Sequence, residues 1–244
     1  LNIPKYVYTD TDKYGDIAVI DEGDRRILSF AVGDEQSVQL KAQPHVLQHS
    51  YTQAMMLSLL FCQPKRVLLL GLGAGCMLST LHSVIPGVRI SAVEVRQSVI
   101  DIAKRYFRLP SSKKIDIHCA EAGEFLASGM TKKVDLIMTD LYRDTGMDEV
   151  QVSKEYLDLC TAQLKVNGWL VINCWGESSE HLQLLDYLAV DYADVRHCES
   201  GDGNLVIFAG RQKDLKSQPD LRELALKFSS LLEFNLQRFL SKIE

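Results

Sequence analysis

From Lys65 onward the chain alternates. Apolar runs at 67–70, 89–95, 114–119, 134–139 and 168–174 are separated by longer segments with helical spacing at 75–84, 97–107, 121–128, 151–165 and 178–190. Buried strands with helices between them need crossover connections, and they predict a parallel sheet covered on both faces. The alternation breaks near the end, where "ADVRHCES" and "NLVIFAGR" are strand-like runs joined only by "GDG". A parallel pair needs a connection of a dozen or more residues, so this pair must be antiparallel. The expectation is five parallel strands, a sixth, and an inserted antiparallel seventh.

The first 44 residues follow another pattern. "YVYTD", "DIAVIDEG", "RRILSFAVG" and "QSVQLK" are short β-rich runs separated by Gly and Asp turns, with "DEGD" as a hairpin signal. They predict a small antiparallel β domain over 1–44, a main domain over 45–217 opening with a helical segment at 45–61, and an amphipathic helix over 218–244 packed on it. With 244 residues, 46% of them hydrophobic, the chain can bury a substantial core. A formal net charge of −5 argues against nucleic acid as a partner, because phosphate binding needs a basic face. No apolar run approaches the roughly 18 residues of a membrane span. The six cysteines form no C-x-x-C pair and read as reduced, buried thiols, which fits a cytoplasmic location.

The chemistry-bearing stretch is "RVLLLGLGAGCMLSTLHSVIPGVRISAVEVR". Gly71, Gly73 and Gly75 close a strand and open a helix, where the backbone must turn sharply and admit a ligand. A dinucleotide fingerprint would place its third glycine at position 76, which is Cys76; the G-x-G-x-G that stands here fits an adenosyl sulfonium better. Glu94 ends the second strand, placed to accept both ribose hydroxyls of an adenosine. Glu121, after the third strand, reads either as an acid near the adenine amino group or as a helix N-terminal acid favoured by the dipole. Asp140 ends the fourth strand, where open α/β sheets place ligands and chemistry. With the terminal antiparallel pair, this is the Rossmann-like arrangement of class I S-adenosylmethionine-dependent methyltransferases.

On these elements the chain resembles the spermidine/spermine synthase family, the polyamine aminopropyltransferases. The likeness runs through "YGDIAVIDEGDRRILSFAVGDEQS", "HSYTQAMM", "GLGAG", "VEV", "AEAGEFL" and "MTDLYRD". It implies a nucleoside-contacting Gln36, a site tyrosine at Tyr51, a catalytic Asp140 and pairing into a homodimer through the N-terminal strands. It implies as ligand S-adenosylmethionine, its decarboxylated form or methylthioadenosine, with no metal. The acceptor pocket would be bordered by Tyr142, Arg143 and Asp144. Three positions depart from the family. Its glycine-loop Asp is Ala74 here, its Glu after the tyrosine is Gln53, and its second catalytic-loop Asp is Arg143. Together they remove three negative charges and add a positive one, which disfavours a polyamine and favours the intact S-adenosylmethionine carboxylate.

The expectation is therefore a transferase acting on a small-molecule acceptor. The alternatives are a genuine aminopropyltransferase and a nucleoside-binding protein without turnover. The six histidines show no metal-ligand spacing; His45 and His49 read as one helix face. Trp175, at the end of the fifth strand, reads as packing.

Overall fold

The computed structural model describes residues 3–143, 146–175, 178–201 and 203–244, with the side chains of 143, 146–147 and 178–182 left aside. Four antiparallel strands come first: β1 (Lys5–Asp12), β2 (Gly15–Glu22), β3 (Arg25–Ser29) and β4 (Ser37–Leu40), paired in that order. Two short helices follow, α1 (Ser50–Met55) and α2 (Ser58–Phe61). Then come β5 (Arg66–Leu70), α3 (Cys76–Val84), β6 (Arg89–Glu94), α4 (Gln97–Tyr106), β7 (Ile115–Cys119), α5 (Ala122–Ser128) and β8 (Val134–Thr139). A two-residue ribbon, β9 (Tyr142–Arg143) with β10 (Gly146–Met147), leads through a 3₁₀ turn (Glu149–Val152) to α6 (Lys154–Gln163) and β11 (Leu164–Trp175). The chain closes with α7 (Ser178–Asp191), β12 (Asp194–Glu199), β13 (Asn204–Gly210), α8 (Gln218–Leu232) and α9 (Gln237–Leu240).

The seven-stranded sheet has the order β12-β13-β11-β8-β5-β6-β7. β5 pairs in parallel with β6 and β8, β6 with β7, and β8 with β11, while β13 runs antiparallel between β11 and β12. This is the inserted antiparallel strand that the short "GDG" connection demanded. One apolar layer, built from Leu69, Leu81, Met138 and Val171, packs under α1–α3 and α8. A second, from Leu70, Ile137, Tyr156 and Ile172, packs under α5–α7. A third joins the N-terminal sheet to α4 through Ile17, Val19, Leu28, Val99, Ile102 and Phe107. The N-terminal strands thus lean on the β5–β7 half of the main sheet. Among the described residues no helix is long and apolar enough to cross a membrane.

Three helical expectations are revised. The segment 45–61 is not one helix: it is extended at His49, and 56–60 tighten into i→i−3 bonds such as Leu59 N to Met56 O (3.0 Å). Residues 54–60 are buried all round, so no single apolar face sets a helical period. His45 and His49 therefore do not share a helix face: His45 Nε2 lies 2.9 Å from Glu233 Oε1, and His49 stacks on Tyr51. The terminal helix stops at Glu233, whose φ of 61° is left-handed, before α9 resumes. At 151–165, the expected helix begins only after Ser153, whose side chain caps α6 by accepting from Tyr156 N, and it gives way to β11 at Leu164.

Candidate functional site

The carboxyl ends of β5, β6, β7, β8 and β11 meet the N-terminal sheet around one cavity of about 890 Å³, near the top of the range of roughly 300–1,000 Å³ usual for small-molecule sites. Gly71 and Gly73 form its floor. Gly71 has φ +95°, and a Cβ there would collide with the backbone carbonyl of Asp140. Its freedom thus serves the close approach of the β5 and β8 ends as well as ligand access. Gly75 does not line the cavity. It starts α3 at φ +79°, and a Cβ there would strike the Leu109 side chain, so its part in the turn is packing.

Glu94 stands at the cavity wall. Its Oε2 accepts from Leu72 N (3.2 Å) and Gly73 N (3.4 Å), and its Oε1 from Arg96 N (3.0 Å). Burial pushes its carboxyl upward against these three donors. The contacts fix the carboxylate on the glycine turn and leave acceptor capacity on each oxygen. Arg96 follows, almost fully buried. It donates to Asp12 through Nε (3.1 Å) and Nη2 (2.9 Å), donates to Gly15 O (2.9 Å), and lies 4.6 Å over the Phe30 ring. Ser98 also bonds Asp12. The β1–β2 turn is thereby tied to the start of α4, and Tyr14, Gly15 and Phe30 form the opposite wall.

Asp140 lies deeper. Its Oδ1 accepts from Asn173 Nδ2 (2.8 Å), and the Tyr51 hydroxyl donates to the same carboxylate. Burial raises its proton affinity, while these two hydrogen bonds oppose the rise. Tyr51 is raised well above the ordinary phenol range, first by burial and then by Asp140, so it remains a donor. Cys76, also on the wall, is pushed up to about 12 by burial and is not a thiolate.

Gln36 reaches the cavity and donates to Asp34 Oδ2 (2.9 Å). Glu121 caps α5, accepting from Glu124 N (2.7 Å), as the helix N-terminal reading expected, and it also lines the cavity. Tyr142 lines the cavity; the Arg143 side chain and the whole of Asp144 lie outside the described residues. Gln53 and Ala74 do not face the cavity. Gln53 bridges Leu47 O and Arg238, and Ala74 is 0% exposed in the apolar layer beneath the N-terminal sheet. The charges counted as lost at these two positions are not lost from the cavity wall. Trp175 is not simply packed: it is 47% exposed and lines the cavity mouth.

Sequence reasoning passed over Asp34, Asp148, Arg96, Asn173 and Asn204. Arg96 stands two residues after Glu94, and Asn173 is a polar break in the apolar run "LVIN"; both were visible signals. Asp34 and Asp148 sit in loops with no periodicity to mark them. Among the described residues no cluster of three His, Cys, Asp or Glu is placed to hold a metal ion.

The spermine/spermidine synthase domain model matches residues 47–199, which hold Tyr51, the glycine turn, Glu94 and Asp140. The chain belongs to the spermine/spermidine synthase family. A polyamine aminopropyltransferase of Vibrio vulnificus is 28% identical to it over 78% of this chain and 64% of that protein's length. One of Neisseria meningitidis serogroup B is 25% identical over 95% of this chain and 90% of its own. A probable spermidine synthase from Corynebacterium glutamicum superposes with a TM-score of 0.79 at 18% identity, covering 94% of this chain and 88% of that one. Human methyltransferase-like protein 13, solved in complex with SAH, superposes at 0.66 with 22% identity, covering 78% and 93%. The structural likenesses establish the fold: the methyltransferase sheet preceded, in this chain, by the small antiparallel sheet of β1–β4.

Proposed function

We propose that the chain is a transferase that binds an adenosyl sulfonium at Glu94 and passes a carbon group from it to an amine held at Asp140. The carrying observation is that one cavity holds both carboxylates, each fixed by its own donors. At the Glu94 end the residues fit an adenosine. The carboxylate keeps free lone pairs for ribose hydroxyls, the glycine turn leaves room for close approach, and Gln36 and Glu121 supply polar groups on the walls. The sulfonium supplies a good leaving group. At the other end Asp140, Asp34 and Asp148 put carboxylates around the space for an acceptor, as a cationic amine requires. Burial makes Asp140 a stronger base than an exposed aspartate, suited to taking the proton an ammonium must lose before it attacks. Tyr51 holds that base in place, and the enclosure aligns donor and acceptor.

Aminopropyl transfer is supported by the polyamine aminopropyltransferase relatives and by the acids of the acceptor end. Methyl transfer from intact S-adenosylmethionine is the second reading. It is supported by the sheet the chain shares with human methyltransferase-like protein 13, which was solved in complex with SAH. Side-by-side calorimetry with S-adenosylmethionine, its decarboxylated form and methylthioadenosine, followed by turnover assays with putrescine, decides between them. Spermidine formation from the decarboxylated donor establishes the first reading. Binding of all three without any product leaves only a nucleoside-binding protein. A cytoplasmic location and a homodimer complete the proposal.

A further inference from the structure

Asn173 is a buried amide in contact with Asp140. It is 1% exposed on β11, within an otherwise apolar run. Its Nδ2 donates to Asp140 Oδ1 (2.8 Å), and its Oδ1 accepts from Asn204 Nδ2 (3.1 Å) on β13. Its own carbonyl accepts from Gln151 Nε2 (3.0 Å). Gln151 is itself pinned, with Oε1 accepting from Thr139 Oγ1 and Leu141 N, each at 3.1 Å. The backbone on both sides of Asp140 is therefore tied to the strand that carries Asn173.

The direction of this chain of amides follows from charge. An ionised carboxylate only accepts, so Asn173 must turn its NH₂ to Asp140. Its oxygen then faces Asn204, which must turn its own NH₂ inward. Asn204 also lines the cavity, so this arrangement leaves its oxygen as the free acceptor there. A protonated Asp140 can donate instead, and the polarity of both amides is then free to reverse. We propose that Asn173 is a positioning residue that holds Asp140 in its ionised form, and that Asn204 orients Asn173 for this task. The inference deepens the reading of Asp140 as the base of an amine transfer, but its test requires no substrate.

The other titratable groups around Asp140 are Tyr51 on α1, His49 just before it, Cys76 at the start of α3, Tyr142 after β8, and Asp34 and Asp148 from the loops across the cavity. Burial raises Tyr51, Tyr142 and Cys76, which therefore stay neutral through the pH range of the test. The carboxyl carbon of Asp140 can be followed by NMR in protein labelled with ¹³C-aspartate, its signal being the one absent from Asp140→Asn. Asn173→Leu removes a donor to the ionised form at similar volume. The proton affinity of Asp140 is expected to rise about tenfold, as for loss of a hydrogen bond to a charged group. Asn204→Leu leaves the Asn173 amide in place but without its orienting partner, and a smaller rise of the same sign is expected. It also carries the test if Asn173→Leu does not fold. Urea unfolding gives the second measurement. The loss of stability in either variant should be larger at pH 8 than at pH 4.5, and that difference should vanish in the Asp140→Asn background. An Asp140 titration unmoved in the folded variants, or equal losses at both pH values, overturns the proposal and identifies the amides as packing. Because no nucleoside enters this test, its failure is distinct from failure of the calorimetry that tests the proposed transferase.

Discussion

Two carboxylates, alike in chemistry, stand in different surroundings. Glu94 is surrounded by backbone N–H groups and Asp140 by side chains. Replacing Glu94 with Ala should weaken methylthioadenosine binding by about 1.5–3 kcal/mol, the scale of hydrogen bonds to a charged group, as read by calorimetry. Glu94→Gln should fall between the two, because its amide oxygen still accepts from the glycine turn. Asp140→Asn should leave that affinity nearly unchanged and lower transfer by about 10² or more, the range for loss of a positioned base. Its stability should change with pH in a defined direction. Burial raises the proton affinity of Asp140 in the folded state, so its favourable contribution is complete at low pH and is lost as pH rises through the folded value. Asp140→Asn should therefore gain relative to the parent as pH increases; denaturant titrations at pH 4.5 and 8 check the sign. Re-installing an acid at Ala74 is not a route to a new donor preference. That side chain would be buried among Ile17, Val19 and Phe107, and the expected result is destabilisation.

The β1–β2 turn is the element whose importance is most easily underestimated. Arg96, Asp12 and Ser98 tie it to α4, and its Tyr14 and Gly15 border the cavity. Arg96→Ala removes one partner of a largely buried pair and should cost about 3 kcal/mol of stability. It should also weaken nucleoside binding, since the wall it holds is no longer fixed. Burial opposes the ionised form of Asp12, but Ser98, the Tyr14 amide and Arg96 outweigh it and hold the carboxyl below its usual value. Such a depressed group contributes above its unfolded value, near pH 4, and loses that contribution as pH falls through the folded value. The stability gap between the parent and Asp12→Asn should accordingly close in acid. The parallel sheet was legible in the sequence because each strand is a buried apolar run, and the antiparallel β13 because "GDG" is too short for a crossover. Glu94 and Asp140 were legible because an acid that closes a buried apolar run stands at the carboxyl edge of the sheet, where such a fold opens its cavity. The segment 45–61 was misread because burial on all sides erases the helical period, and Trp175 because a residue at a strand end carries no sign of which side it faces. Ala74 and Gln53 were placed in the site by correspondence alone. Nothing local in the sequence shows that α9 and the N-terminal sheet claim those two side chains.

At the scale of the whole molecule the N-terminal sheet has two faces with different tasks. One packs on α4 and borders the cavity; among the described residues β1 is an edge strand, with Tyr6 exposed on it and Val32 exposed in the β3–β4 loop. An uncovered strand edge beside exposed apolar residues is a template for pairing, so the chain is expected to be a homodimer. Light scattering at micromolar concentration should give twice the chain mass, and Tyr6→Asp with Val32→Asp should halve it if this sheet is the contact. The close approach of Gly71 to the Asp140 carbonyl has a further consequence for the way such a molecule can change over time. The glycine turn and Asp140 follow adjacent strands, joined by the bond from Asp140 N to Leu70 O (2.9 Å), so neither can shift without moving the other. Asp34 and Asp148 lie in loops, Tyr142 in the short β9–β10 ribbon and Trp175 at the end of β11, all outside that strand pair. On the proposed function, a lineage built on this frame is free to retool what it modifies by redrawing loops and rim, while the carrier that delivers the group stays the same.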